Sequence, residues 1–343
     1  MKGLKIKAFL VLCLAVFSAS AFFCPPALAQ SDHLEIKMGT LAPRNIGWAK
    51  AWEEILEKGL VEAAGGRVSF KTYYGGIMGD DEDYVMKMRI DQLQAASMTA
   101  QGTRVICPEM AVLSLPFILN SYEEVDFIRP KMYPIFDKLF ADRGFALIYW
   151  FEQDFDQLYS LSKPTDRLAT LPRFRFLTWY GVVEEKTLEA LNVKPVSINA
   201  PEVPSALRQR VIDALIAPAV WVVGSQTYTV IGYANPIKIR YAPGLHVWSS
   251  KAFGRLSAEH QAGVLATRNT VLEEFIAFTR NANEQSLAAL ARYGMKMVEM
   301  DPNELEAMKQ ATRPVWDSLA GELYPKELLD TMLGYLEEFR SMQ

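Results

Sequence analysis

The stretch Arg173 to Pro218 constrains the fold more than any other part of the chain. It reads RFRFLTWYGVVEEKTLEALNVKPVSINAPEVPSALRQRVIDALIAP. Arg173-Phe174-Arg175-Phe176 alternates charge and ring, so as a strand it puts both arginines on one face. Trp179, Tyr180 and Gly181 form a ring-rich loop. The pattern then predicts a helix over Glu184–Leu191, a strand over Pro195–Ile198, a helix from Glu202 to Arg210, and an apolar strand from Val211 to Ile216. Strand and helix alternating in this way is the grammar of an open α/β sheet. Ligands of such sheets lie at the carboxyl ends of the strands. The reading places a ligand beside this segment, held by Arg175 and the aromatic loop.

The N-terminus reads as a secretory signal. Lys2, Lys5 and Lys7 precede an almost wholly apolar run, Ala8 to Phe23, and Ala27-Leu28-Ala29 predicts cleavage before Gln30. The apolar run is short for a membrane span. Taking 29 residues from 343 leaves 314, long enough for two domains. Three lysines and no acid leave with the signal, so the formal charge goes from −4 to −7. That charge argues against nucleic acid as a partner. Cys13 and Cys24 are lost as well. Cys107 then has no partner for an intrachain disulfide, and it reads as a buried structural thiol.

The mature chain opens as strand–helix–strand–helix–strand, a right-handed crossover by default. The strands are Leu34–Gly39, Arg67–Tyr74 and Leu93–Met98. The first helix runs from Trp48 to about Ala64 and stops at Gly65-Gly66. The second is capped by Asp80. The loops after the first and third strands carry Asn45, Trp48, Thr99 and Gln101, with Thr99-Ala100-Gln101-Gly102 read as a small polar loop. Trp48 fits core packing or ligand contact. Ser121 caps a further helix, and another is expected from about Pro134 to Arg143. Separate strands are expected at Phe145–Trp150, Gln157–Ser162, Pro236–Tyr241 and Leu245–Ser250. Phe151 to Phe155 would form a first crossing between domains. An unbroken helix from Ser257 to about Arg292 would measure on the order of 50 Å.

Catalytic and cofactor signatures are missing from the sequence. His33, His246 and His260 are scattered and form no zinc spacing with Cys107. No phosphate-cradling glycine loop and no Gly-x-Ser-x-Gly elbow occurs. Asp80-Asp81-Glu82-Asp83 suits an acidic first helical turn better than a calcium loop. The reading is therefore of a protein without a cofactor or catalytic residues.

The order of several modest motifs is informative. Ile36 to Pro43 with Trp48-Ala49-Lys50-Ala51-Trp52, Tyr74 to Asp80, Lys87 to Ala96, Leu115-Pro116-Phe117, Ser121 to Glu124, Leu191 to Val196, Val211-Ile212-Asp213 and Ser250 to Phe253 span nearly the whole mature chain. In this order the chain resembles the extracytoplasmic solute-binding subunits of TRAP transporters, the DctP-like family. The resemblance implies an α/β, two-domain fold of the type II periplasmic-binding-protein kind, with crossing hinge strands and a long helix spanning both domains. It divides the chain into a signal (1–29), a first domain (30–157 plus about 241–283) and a second (about 158–240 plus 284–343). It implies a periplasmic protein, with TRAP membrane subunits as partners and a small organic ligand in the interdomain cleft.

The family's arginine, written Lys-Ile-Arg, would fix a ligand carboxylate. Phe174-Arg175-Phe176 falls near that place, and the choice between Arg173 and Arg175 stays open. The family's Asp-Gly-Gln-Glu-Asn-Pro is here Asp213-Ala214-Leu215-Ile216-Ala217-Pro218, so the usual amide partner is gone. An unpaired polar ligand group costs about 1–3 kcal/mol when buried. The cleft therefore suits a monocarboxylate with an apolar body, or a hydrophobic molecule. Trp150, Phe151, Trp179, Tyr180 and Trp221 fit that character, and Asn45, Trp48, Met98, Gln101, Gln153, Ala217 and Pro218 complete the expected lining. The likeness extends to the branch that works with a tetratricopeptide-repeat periplasmic protein. An exported enzyme using the same cleft, or a sensor subunit that presents the ligand, are the alternatives.

Overall fold

The computed structural model describes residues 33–44, 47–179 and 181–343. The signal segment with its cleavage site, Cys13 and Cys24, and the candidates Asn45 and Tyr180, lie outside the described residues. Strand β1 (Leu34–Thr40) leads into helix α1, built from Gly47–Ala51, a π-helical stretch Trp52–Leu56, and Glu57–Ala63. Gly65 and Gly66 end α1 at φ values of +61° and +71°, a conformation that costs glycine little. Strand β2 (Val68–Tyr73) follows, then α2 (Asp81–Arg89), capped by Asp80 and Asp83 in a reciprocal capping box. After β3 (Ala95–Met98) comes α3 (Ala100–Ile106), capped by Thr99. The segment expected as a polar loop is thus a helix, because the Thr99 side chain accepts the Gln101 amide and starts the first turn.

Helix α4 (Tyr122–Asp142) is one helix where two were expected, and it contains Pro130 and Pro134. Its packed face, which includes Ile128, Met132, Phe136 and Phe140, buries enough apolar surface to offset the two missing amide donors. Two strands dominate the molecule. Strand β4 (Phe145–Ser160) and β8 (Tyr233–Ser249) run antiparallel along most of their length. Each was expected as two shorter strands. Between them in sequence lie β5 (Leu177–Thr178), α5 (Val182–Ala190), β6 (Val196–Ser197), α6 (Val203–Arg208), β7 (Ala214–Ala217) and α7 (Ala219–Gly224). The main sheet has the order β2-β1-β3-β8-β4-β7, and β5 pairs with β6 in a small second sheet.

One proline of β8 is accommodated by a bulge in β4, and Pro236 lies where β8 itself loops out of register, between Asn235 and Arg240. Pro243 has no N–H to give, and the register slips between Glu152 and Asp154 where β4 faces it. Gln153 is the extra residue, and Asp154 after it sits at φ +140°. The Gln153 carbonyl, left without a strand partner, accepts a hydrogen bond from Asn283 Nδ2 at 3.0 Å. Similarly, Ile148 lies in the slip between Leu147 and Tyr149, and its carbonyl accepts from Arg268 Nε at 2.9 Å.

After β8 come α8 (Ser250–Phe253), α9 (Ala258–Ala266) and α10 (Val271–Arg292). The single long helix expected here is broken. Thr270, at φ −139° and ψ −77°, leaves helical geometry, while Arg268 is drawn onto the carbonyls of Leu147 and Ile148 and onto Asp137. Tertiary anchoring of one arginine outweighs local helix propensity. Helix α10 alone, with 22 residues, is still about 33 Å long, and it packs against α1, β4 and α7. Strand β9 (Lys296–Met297) adds to β8. Helices α11 (Pro302–Thr312), α12 (Pro314–Ser318) and α13 (Lys326–Ser341) close the chain, and α13 lies on α4.

Candidate functional site

A cavity of about 720 Å³ opens where the C-terminal ends of β1 and β3, the β4 bulge, α7 and one face of α10 meet. Its walls are mostly uncharged and rich in rings. From α1 come Trp48, Trp52 and Leu56; from the end of β3, Met98, Thr99 and Gln101; from β4, Phe151 and Gln153. Trp179 and Trp221 face them, in edge-to-face contact with centroids 4.5 Å apart. Helix α10 contributes Phe275, Phe278 and Gln285 among others, with Phe151 packing edge-on against Phe275 at 5.2 Å.

Buried polar groups set the position of these walls. Asn283 on α10 donates to the Gln153 carbonyl and accepts the Val220 amide at 3.3 Å, so one side chain ties α10 to both the β4 bulge and α7. Asp81 is fully buried and accepts from Thr99 N at 2.9 Å and Thr99 Oγ1 at 2.6 Å, which fixes the turn bearing Met98 and Gln101. Burial pushes the Asp81 carboxyl up to about 7 against these bonds. Opposite, Glu184 accepts from Trp179 N at 2.9 Å and from Thr178 Oγ1 at 3.2 Å. Arg240 lies 3.6 Å from Glu184 and bonds Asp156 at 2.9 and 2.5 Å. The Trp179 loop is therefore pinned to a buried charge cluster formed by α5, β4 and β8.

Of the residues expected to line a cleft, the structure brings together Trp48, Met98, Gln101, Phe151, Gln153, Trp179 and Trp221. It separates four others. Arg175 is 54% exposed at its side chain and lies outside the cavity; Asp213 clasps its guanidinium at 2.9 Å and its backbone amide at 2.7 Å. The alternation reading holds in part, because Phe174 and Phe176 are buried and both arginines are exposed. The face that carries Arg173 and Arg175 meets solvent, since the rings take the core side. Trp150 is fully buried against Phe136 and donates to Tyr241 Oη at 3.1 Å, away from the cavity. Ala217 is enclosed in β7 opposite Gln157, and Pro218 caps α7; neither lines the cavity.

Sequence reasoning missed the α10 face, Tyr228 and Val220. The signal was present in Phe275, Phe278, Ala282, Gln285, Ala289 and Arg292, whose spacings of three and four place them on one helical stripe. Among the described residues, no group of three or more His, Cys, Asp or Glu side chains is placed to hold a metal. Cys107 is buried and donates to Glu109, and burial pushes its thiol up to about 12, far from a reactive thiolate.

Gly244 bears directly on the cavity wall. A Cβ there would stand 2.1 Å from Phe151 Cε2, so Gly244→Ala must displace the Phe151 ring. The substitution is expected to cost about 1–3 kcal/mol by overpacking. A urea midpoint unchanged from the parent protein would contradict this.

Residues 38–322 match the family model described as bacterial extracellular solute-binding protein, family 7 (DctP). A curated relative from Chromohalobacter salexigens, named solute-binding protein, is 21% identical over 270 residues, 78% of this chain and 80% of the relative. An uncharacterized protein of Sinorhizobium fredii, y4mM, is 22% identical over 278 residues, and the match spans 50% of its length. Among solved structures, a TRAP periplasmic solute-binding protein of Ochrobactrum anthropi superposes with a TM-score of 0.80 at 21% identity, covering 91% of this chain and 97% of that one. The sugar-acid-binding protein of Advenella mimigardefordensis, in complex with galactonate, gives 0.82 at 19% identity, covering 89% and 98%. A TRAP protein of Desulfovibrio salexigens with bound orotic acid also gives 0.82, at 17% identity, covering 89% and 99%. The fold is thus that of the two-domain periplasmic-binding-protein type.

Proposed function

The chain belongs to the bacterial extracellular solute-binding proteins of family 7, and on that premise we propose that it captures a small organic ligand in the aromatic cavity and delivers it to a TRAP-type transporter. The ligand is a monocarboxylate with an apolar body, or a hydrophobic molecule. The observation that carries this reading is the cavity itself: about 720 Å³, at the C-terminal ends of β1 and β3, walled by Trp48, Trp52, Phe151, Trp179, Trp221 and Phe275. Asn45 and Tyr180 adjoin this lining in sequence and complete it in our reading. The protein acts as a receptor and not as an enzyme.

The division into 30–157 plus about 241–283, and about 158–240 plus 284–343, supplies two bodies hinged on β4 and β8. In this reading α13 returns from the second body to lie on α4 of the first. Closure over the ligand would present the docking form to the TRAP membrane subunits, with a tetratricopeptide-repeat periplasmic protein as a further partner. In this reading the chain is exported and its signal is cleaved before Gln30. Among the described residues no helix is long and apolar enough to cross a membrane.

Native mass spectrometry of the protein purified from its periplasm tests the reading. An organic molecule bound one to one is expected, and Trp221→Ala should reduce its occupancy. Stoichiometric release of a chemically altered molecule would point to an enzyme instead.

A further inference from the structure

The cavity changes character along α10. Phe275 and Phe278 stand near the start of the helix, Gln285 and Ser286 follow, and Arg292 occupies the last turn, all on the lining face. From Phe275 to Arg292 that face is about 25 Å long at ~1.5 Å per residue. The opposite walls follow the same order. The first end approaches α1 closely, where a Cβ on Gly59 would meet Val271 at 2.6 Å, and it faces Trp52 and Leu56. The far end meets the segment after α7, where Tyr228 stacks on Tyr293 at 4.9 Å. Ser225 and Gln226 line the cavity beside it.

One charge stands out against this lining. Arg292 is the only charged side chain among the described residues that line the cavity, it is exposed, and it makes no ion pair with a described residue. The hydroxyls of Thr40, Ser97 and Thr99, which also line it, already serve Ala42 N, His246 Nδ1 and Asp81. The cavity therefore offers an aromatic trough with one cation at its polar end. Among the described residues, no carboxylate lines it to receive a ligand cation, and no second cation lines it to receive a second ligand anion.

We infer that the ligand is an elongated amphiphile with a single anionic head group, its apolar body laid along α10 and its head at Arg292. The inference rests on the cavity being the ligand site. A body seated in the ring-lined trough gains by burial, and the head keeps contact with water at the mouth, so its charge is not desolvated in full. Arg292 takes the part that Arg175, clasped by Asp213, does not fill.

Titration calorimetry with dodecanoate, dodecan-1-ol and hexanoate tests this on the full mature chain and on Arg292→Gln. Dodecanoate should bind more tightly than either of the others. An exposed ion pair is worth up to about 1 kcal/mol, so Arg292→Gln should weaken dodecanoate by about fivefold and leave dodecan-1-ol unchanged. Raising the salt should weaken dodecanoate binding to the parent protein and not to the variant. Arg175→Gln should leave all three affinities as they were. Dodecan-1-ol binding as tightly as dodecanoate, or Arg292→Gln acting on both alike or on neither, overturns the inference and leaves the cavity reading standing. Failure of every probe to bind overturns both.

Discussion

Arg240→Met is expected to destabilise the protein by about 3–5 kcal/mol, the usual cost of removing one partner from a buried ion pair. Arg240 is 4% exposed and Asp156 is fully buried, joined by hydrogen bonds of 2.9 and 2.5 Å. Glu184 stands 3.6 Å away on the other side. Without the guanidinium, the Asp156 carboxylate is left in a dry site beside Glu184 without the cation that bonds it. Adding Asp156→Leu should recover much of the loss, since an apolar pair of similar volume removes the orphaned charge. The consequence reaches the cavity as well. Glu184 holds the Trp179 amide and the Thr178 hydroxyl, so a displaced Glu184 moves the ring that faces Trp221. Ligand affinity should fall in Arg240→Met even at temperatures where the variant is folded. A denaturation midpoint within about 1 kcal/mol of the parent would sink the argument.

Local chemistry was legible in the sequence where a residue decides its own backbone. Gly65-Gly66 ends α1, and Asp80 and Ser121 start helices, because caps and left-handed turns act within a few residues. The resemblance of ordered motifs supplied the α/β fold class. What stayed hidden was set by contacts distant in sequence. Pro236 and Pro243 argue locally for short strands, yet β8 runs through both: β4 bulges opposite Pro243, and residues 236–239 of β8 loop out of register around Pro236. Thr267 to Thr270 looks helical until Arg268 finds the carbonyls of β4. The alternation of Arg173 to Phe176 correctly separates rings from arginines, but alternation cannot say which face meets the ligand. The core that takes Phe174 and Phe176 made that choice, and Asp213, 38 residues away, clasps Arg175 on the outer face. Helix α10 hid its role for a different reason. Its stripe of Phe, Ala, Gln and Arg is too mixed to read as a core face, and a mixed stripe is what a ligand-facing wall needs.

Between pH 8 and pH 5 the folded state is expected to gain stability as the pH falls, by on the order of a few kcal/mol at 1.36 kcal/mol per pKa unit. Asp81, Asp154 and Asp156 are 0%, 6% and 0% exposed. Burial raises their carboxyls from an ordinary 3.8 to about 7, about 7 and about 6, although Thr99, Tyr122 and Arg240 respectively bond to them. A carboxyl with a raised folded pKa binds its proton before the unfolded chain does. The penalty for burying its charge is therefore complete above the folded pKa and is relieved as the pH drops through about 7 toward 4. His246 acts in the opposite sense. Burial beside Trp248 and Ser97 holds its imidazole down to about 3 from 6.5, so acid favours the unfolded state between those values. Three carboxyls outweigh one imidazole down to about pH 4, and below that His246 withdraws stability together with Asp91, Glu109 and Glu123, whose carboxyls are held below their ordinary range by their hydrogen bonds. Urea midpoints at pH 8, 6.5 and 5 should rise in that order. Asp154→Asn, which keeps an acceptor for the Tyr122 hydroxyl, should flatten the rise between pH 8 and 6. A midpoint that falls steadily from pH 8 to 5 would mean that these carboxyls are ionised and compensated in the folded protein.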